Sequence, residues 1–280
     1  MKKFLAVFDG YKMSTSTLDY SIQLTKDADA ELVGVFLDEF IYTSYSVYKV
    51  MTTNKNYDAV LKEMDEKDKK KRDTAVLQFQ KACDKAKIKF SIHRDKSIAI
   101  QELKHESMFA DLIIINEYET FTRNKEQPPT RFIKELLGDV QCPVLVVPDN
   151  FKPVDKLVLL YDGTPSAVYA AKMFNYLFCN LQNLPVEVYA VKEDSKSDLH
   201  LADNKLMRAF IKSHFPKASI TVVKGNAEEK IQAHLKTHSE NALVVMGAYR
   251  RSELSRWFKT SMADILMKEL DTPLFIAHNG

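Results

Sequence analysis

Apolar residues along the chain fall into short, nearly continuous runs. Longer stretches between them carry apolar positions at helical spacing. In the first half the runs FLAVF (4–8), LVGVFL (32–37), FSIH (90–93), LIII (112–115) and VLVV (144–147) predict five strands. In the second half LVLL (157–160), VEVYAV (186–191), ITVV (220–223), LVVM (243–246) and LFIA (274–277) predict five more. Runs this continuous, rather than alternating with polar residues, belong to parallel strands covered on both faces by helices. The amphipathic stretches predict helices over 16–26, 58–85, 98–107 and 130–137, and again over 166–181, 203–214, 227–237 and 261–269. Strand–helix alternation of this kind implies right-handed crossovers and an open, doubly wound α/β sheet.

The pattern is written twice. FLAVFDG (4–10) opens the first half and LVLLYDG (157–163) the second, each an apolar run ending in Asp-Gly. The first half closes on DLIIIN followed by CPVLVVP, the second on NALVVMG followed by TPLFIAH. Two tandem domains follow, over 1–149 and 154–280, with Pro148 and Pro153 bracketing a short stiff linker. So short a tether keeps the domains packed together. The second copy is the shorter one, having lost residues between its opening and closing strands. The segment 41–57, with Tyr42, Tyr45, Tyr48 and Tyr57, belongs to the first half only. It lies beyond the carboxyl end of a parallel strand, the edge where doubly wound proteins take ligands. It is either a lid over a ligand or a structured insertion that packs its tyrosines on the neighbouring domain.

Composition narrows the function classes. The chain has 280 residues and a net charge of +2, with acids and bases spread through both halves, which argues against binding nucleic acid by bulk charge. No apolar run approaches the roughly 18 residues that span a bilayer, and the run after Lys2 and Lys3 stops at Asp9, too short for a secretory signal. Cys83, Cys142 and Cys179 are scattered without a CxxC pair, as expected of a cytoplasmic protein without disulfides or a zinc knuckle. The charged stretch 63–73 is the solvated face of a long helix.

Candidate chemistry sits at strand ends. Asp9 and Asp162 are placed either to accept hydrogen bonds from a ribose or adenine or to shape the turn and cap the next helix. Thr164 and Ser166 are candidate caps for the helix entered through Pro165. The stretch MGAYRRSELSRWFKTSMADIL is the most chemical part of the chain: Gly247 ends a strand, and a helix starts near Thr260 or Ser261. A helix N-terminus with free N–H groups and a hydroxyl is an anion site, to which Arg250, Arg251, Arg256 and Lys259 add charge. The alternative is an ordinary cap at Ser261 and surface basic residues. His234 and His238, four apart on a helix, have the spacing of two metal ligands, but without the Glu of the hydrolytic zinc signature they are expected to face solvent.

This stretch resembles the phosphate loop of the universal stress protein family, G-x2-G-x9-G-[ST]. Gly247 stands in the first glycine position, Arg250 in the second, Thr260 in the third and Ser261 in the hydroxyl position, so one of three glycines is retained. With the Asp-Gly openings and the tandem layout, the resemblance covers nearly the whole chain. It implies ATP or AMP in the C-terminal domain if a nucleotide binds at all. Asp162 would then contact sugar or base, the backbone near Val191 the adenine, and Gly247, Arg250, Thr260 and Ser261 the phosphates. The family also contains members without the loop that bind no nucleotide. Side chains at 250 and 260 stand where backbone should approach phosphate closely, although Arg250 could supply charge directly. In the first half Asn116, Glu119 and QPPT (127–130) replace the motif. Two prolines remove N–H donors, and Glu117 and Glu119 repel phosphate, so no triphosphate is expected there. Family members pair through their final strands, which implies an intramolecular pseudo-dimer of the two halves and leaves a homodimer open. The function implied is non-enzymatic binding and regulation under stress, involving a protein partner. The rival is an ATP- or AMP-binding switch or slow ATPase in the C-terminal domain.

Overall fold

The computed structural model describes residues 1–10, 13–37, 57–95, 98–122, 124–193, 198–238, 240–248 and 261–278. The strands of the first half are β1 (Lys3–Asp9), β2 (Glu31–Leu37), β3 (Lys89–Asp95), β4 (Leu112–Asn116) and β5 (Val144–Val147). Those of the second are β6 (Lys156–Leu160), β7 (Val186–Lys192), β8 (Ala218–Lys224), β9 (Ala242–Gly247) and β10 (Leu274–Ala277). The helices between them are α1 (Thr15–Ala28), α2 (Tyr57–Ala86), α3 (Ala99–Ser107) and α4 (Arg131–Asp139), then α5 (Pro165–Leu177), α6 (Asn204–His214), α7 (Ala227–His238) and α8 (Met262–Glu269). All ten expected strands form, and helix bounds differ from expectation mainly at one place. The helix after β6 ends at Leu177 rather than continuing to 181, and a 3-10 turn, Cys179–Asn183, follows. Phe178 leaves the helical conformation (φ −122°, ψ 54°), and its ring lies against Phe174, Phe4 and Phe275.

The strands form one ten-stranded sheet in the order β3-β2-β1-β4-β5-β10-β9-β6-β7-β8. Every pairing is parallel except that of β5 with β10, which is antiparallel, with Phe275 opposite Leu145. The second half thus repeats the first about a pseudo-two-fold between the two final strands. The chain is an α/β protein of two doubly wound repeats packed as an intramolecular pseudo-dimer, and the seam covers two edges that would otherwise template association.

Successive residues of a strand point to opposite faces, and the two faces have separate cores. Phe4, Ala6 and Phe8 of β1 join α1, α2, α5 and α6 on one face. Leu5 and Val7 join α3, α4, α7 and α8 on the other. Burial on both sides explains why the inner strands read as unbroken apolar runs, whereas the edge strands β3 and β8 are half-buried or exposed. The first core runs across the seam, because Phe4 of the first half meets Phe178 of the second at 5.6 Å between ring centroids. Polar ties reinforce it. Asn180 Nδ2 donates to the Asp27 carbonyl at 2.7 Å, the Ser16 hydroxyl donates to the Pro148 carbonyl, and the Lys152 N–H donates to the Tyr20 hydroxyl at 3.2 Å. Phe151 stacks edge-on against Tyr20, so the connection between the halves is held down along its length.

Candidate functional site

In an open α/β sheet ligands bind at the carboxyl ends of the parallel strands, and in each half two such strands, β1 and β4 or β6 and β9, lie side by side. In the first half α1 starts there, capped by the Ser14 side chain, which accepts from the Thr17 N–H at 3.1 Å. A cavity of about 380 Å³ opens between this helix start and the end of β4, lined by residues including Ser14, Thr15, Asn116, Tyr118, Glu119 and Asp149. Asn116 stands at the end of β4, where Gly247 stands at the end of β9. Its amide donates to Asp149 at 3.0 Å, and its oxygen accepts the Tyr118 N–H at 2.9 Å.

Three backbone donors at and near this crevice are taken by carboxyl groups of the protein itself. Glu119 Oε1 accepts the N–H groups of Thr120 and Phe121 at 3.0 and 3.1 Å. Glu126 Oε2 accepts the N–H of Arg131, the first residue of α4, at 2.7 Å. Thr130 caps the same helix by accepting from Ile133 at 3.2 Å and donates its hydroxyl proton to the Glu119 carbonyl at 2.6 Å. Pro128 and Pro129 have no N–H to offer. A carboxylate at a helix start uses the same N–H groups and positive dipole end that would hold a phosphate. Burial, with Asp9 close by, pushes the Glu119 carboxyl up to about 7. Burial, then the charges of Asp271 and Asp149, pushes Glu117 up to about 8.

In the second half Asp162 follows β6 and is exposed. Its Oδ1 accepts the Thr164 N–H at 2.8 Å across Gly163, whose φ of +82° suits glycine. Asp162 therefore shapes the turn. Thr164, not Ser166, caps α5, accepting from Ala167 at 3.3 Å, while Ser166 is buried inside the first turn. Gly247 ends β9 next to that turn. A Cβ there would lie 2.3 Å from the Ser166 carbonyl carbon and 2.5 Å from the Ala167 nitrogen, so the absent side chain lets α5 seat on the sheet. Ser261 caps α8 in a closed capping box: its hydroxyl accepts from Asp264 N–H at 3.1 Å, and its own N–H donates to the Asp264 carboxylate at 3.4 Å. Val191 lies in β7, the other neighbour of β6, paired with Val223 and half-buried. Asp162, Val191 and Gly247 thus belong to three adjacent strands and their ends. Arg250 and Thr260 lie outside the described residues, as do Arg251, Arg256, Lys259 and most of the tyrosine-rich segment 41–57.

Comparison with known proteins decides the architecture. No protein-family model matches the chain, and no curated protein matches it in sequence. Solved structures do match, end to end. A universal stress protein from Archaeoglobus fulgidus superposes over 99% of this chain and 96% of its own, with a TM-score of 0.67 at 14% identity. This is the tandem universal stress protein fold. A candidate universal stress protein from Pseudomonas aeruginosa matches over 99% of this chain and 93% of its own, with a TM-score of 0.61 and 12% identity. A functionally unknown protein from the same species gives 0.59 and 11% over 99% and 92%. At these identities the universal-stress likeness is one of fold, and the chemistry must be argued from this chain's own side chains.

His234 does not face solvent. It stacks on Tyr189 at 4.0 Å and 13°, and its Nε2 lies 2.9 Å from Glu187 Oε2, so the strand β7 holds it. Burial alone would raise the Glu187 carboxyl, but the Thr221 hydroxyl and the two histidines outweigh it and hold it below the usual carboxylate range. Glu126 was missed altogether. Its signal was an acid shortly before a helix start, a position that favours negative charge.

Proposed function

We propose that this chain is a non-enzymatic tandem universal-stress-type protein that acts in the stress response by binding and regulation, without tight ATP binding. The observation that carries this is the closure of the anion-binding groups by the protein's own side chains. Glu119 and Glu126 hold the loop and helix-start donors of the first half, and the Ser261–Asp264 box closes the start of α8. A triphosphate entering the first crevice would have to displace the carboxyl groups of Glu119 and Glu126 and then sit beside Asp149. Gly247, the one glycine kept from the phosphate-loop pattern, has a packing role that accounts for it without a ligand. The repeats divide on this reading into domains over 1–149 and 154–280, and the regulated species is a cytoplasmic protein partner.

The rival is an ATP- or AMP-binding switch, or a slow ATPase, in the C-terminal domain through Asp162, Val191, Gly247, Arg250, Thr260 and Ser261. Calorimetric titration and thermal shift of the full chain with ATP and Mg2+ separate the two. The expected result is no heat and no change in melting temperature at millimolar ATP. Saturable micromolar binding that is lost in Arg250→Ala, with the fold intact, would establish the rival.

A further inference from the structure

At the outer edge of the sheet, the terminal strand β3 and helix α3 bring together three side chains of metal-ligating type. His93 lies on β3. Glu102 and Glu106 are four apart on α3 and so share one face of it. One ring nitrogen and one oxygen from each carboxylate all lie within 4.8 Å of one another. Nδ1 of His93 contacts Oε1 of Glu106. Glu106 is only 9% exposed and follows buried Leu103 on the inward face of the helix. A carboxylate there costs free energy unless its charge is compensated.

The compensation supplied by the protein is incomplete. One imidazole faces two carboxylates, those of Glu106 and Glu102, in the same small volume. Among the described residues the Glu102 carboxylate has no hydrogen-bond or ion-pair partner, while its backbone N–H donates to the Ile98 carbonyl at 3.1 Å. Lys104, on the same helix, is engaged with Glu135 and Asp139 at 3.0 and 2.9 Å. A divalent cation with neutral imidazole and two carboxylates is neutral as a unit. The second half provides an internal contrast, since Glu187 and His234 make a similar strand-to-helix contact, but the third group there is the Thr221 hydroxyl instead of a carboxylate.

We propose that His93, Glu102 and Glu106 bind a divalent first-row transition metal, with zinc the ion of choice. One imidazole nitrogen with two carboxylate oxygens is a set that zinc accepts at about 2.0–2.2 Å per ligand. Magnesium and calcium favour all-oxygen sites. Three protein ligands leave a fourth position for water or an outside donor.

The test uses the full chain, stripped with a chelator, exchanged into clean buffer and titrated calorimetrically with zinc chloride. The expected result is one saturable zinc per chain, weakened roughly tenfold or more in Glu102→Gln and in His93→Ala. Circular dichroism checks that both variants fold, and Glu102, partly exposed in the first turn of α3, is the safer of the two. His234→Ala should leave the affinity unchanged, and millimolar magnesium should not displace the zinc. Absence of zinc uptake by the wild type overturns the proposal. So does an affinity indifferent to Glu102→Gln, or one abolished by His234→Ala instead.

Discussion

Gly247 and Ser166 approach so closely that a Cβ on the glycine would lie 2.3 Å from the Ser166 carbonyl carbon. The obstacle is backbone at the start of α5, which cannot rotate away as a side-chain tip can. Gly247→Ala is therefore expected to destabilise the protein by about 1–3 kcal/mol, and Gly247→Val by more, through a shifted α5. Urea denaturation of the two variants checks this without any ligand. Full stability in Gly247→Ala would show that α5 can move freely, and a phosphate-loop role for the glycine would regain its force.

Ser261 is expected to behave as a cap. Ser261→Ala should cost about 1 kcal/mol, and Ser261→Thr should recover most of it, because threonine keeps the oxygen that accepts from Asp264. Melting temperatures of the three proteins measure the effect. Unchanged stability in the alanine variant would mean that the hydroxyl is kept for something other than the helix.

Glu117 makes stability depend on pH. It is 5% exposed, and its carboxyl is pushed from an ordinary 4.5 up to about 8 by burial and by Asp271 and Asp149. Above pH 4.5 the unfolded chain gives up this proton while the folded chain keeps it. Stability therefore falls as pH rises from about 4.5 to about 8 and is level beyond. Glu117→Gln should flatten that slope and be the more stable protein at pH 9. Urea midpoints of both proteins at pH 5 and pH 9 test it, and equal slopes would refute the assignment to Glu117.

Phe178 joins the halves. Its ring lies 5.6 Å from Phe4 across the seam and 4.9 and 6.4 Å from Phe174 and Phe275. Phe178→Ala should cost about 3–5 kcal/mol and lower amide-exchange protection in β1 as well as in β6 and β10. Protection lost from the second half alone would mean that the two repeats unfold independently despite their shared core.

The order and class of elements could be read from the amino-acid sequence because their causes are local. Short apolar runs alternating with amphipathic stretches mark parallel strands between helices, and the caps at Thr164 and Ser261 are hydroxyls that serve an N–H three residues on. The pairing of the two final strands was expected from the tandem resemblance, since both copies end on the same kind of edge. What each polar residue does was decided by tertiary structure. The helix start beside Gly247, the carboxyl groups of Glu119 and Glu126 on backbone donors, the stacking of His234 on Tyr189, and the meeting of His93 with Glu106 are contacts set by sheet order, side-chain rotamers and the way the loops close. None of these leaves a mark in hydrophobic periodicity. The sequence by itself thus determined a doubled α/β chain with two candidate crevices. Only the packing of side chains brought together from separate elements decided that the crevice donors are held by the protein's own carboxylates and that three metal-ligating groups converge on the outer edge of the sheet.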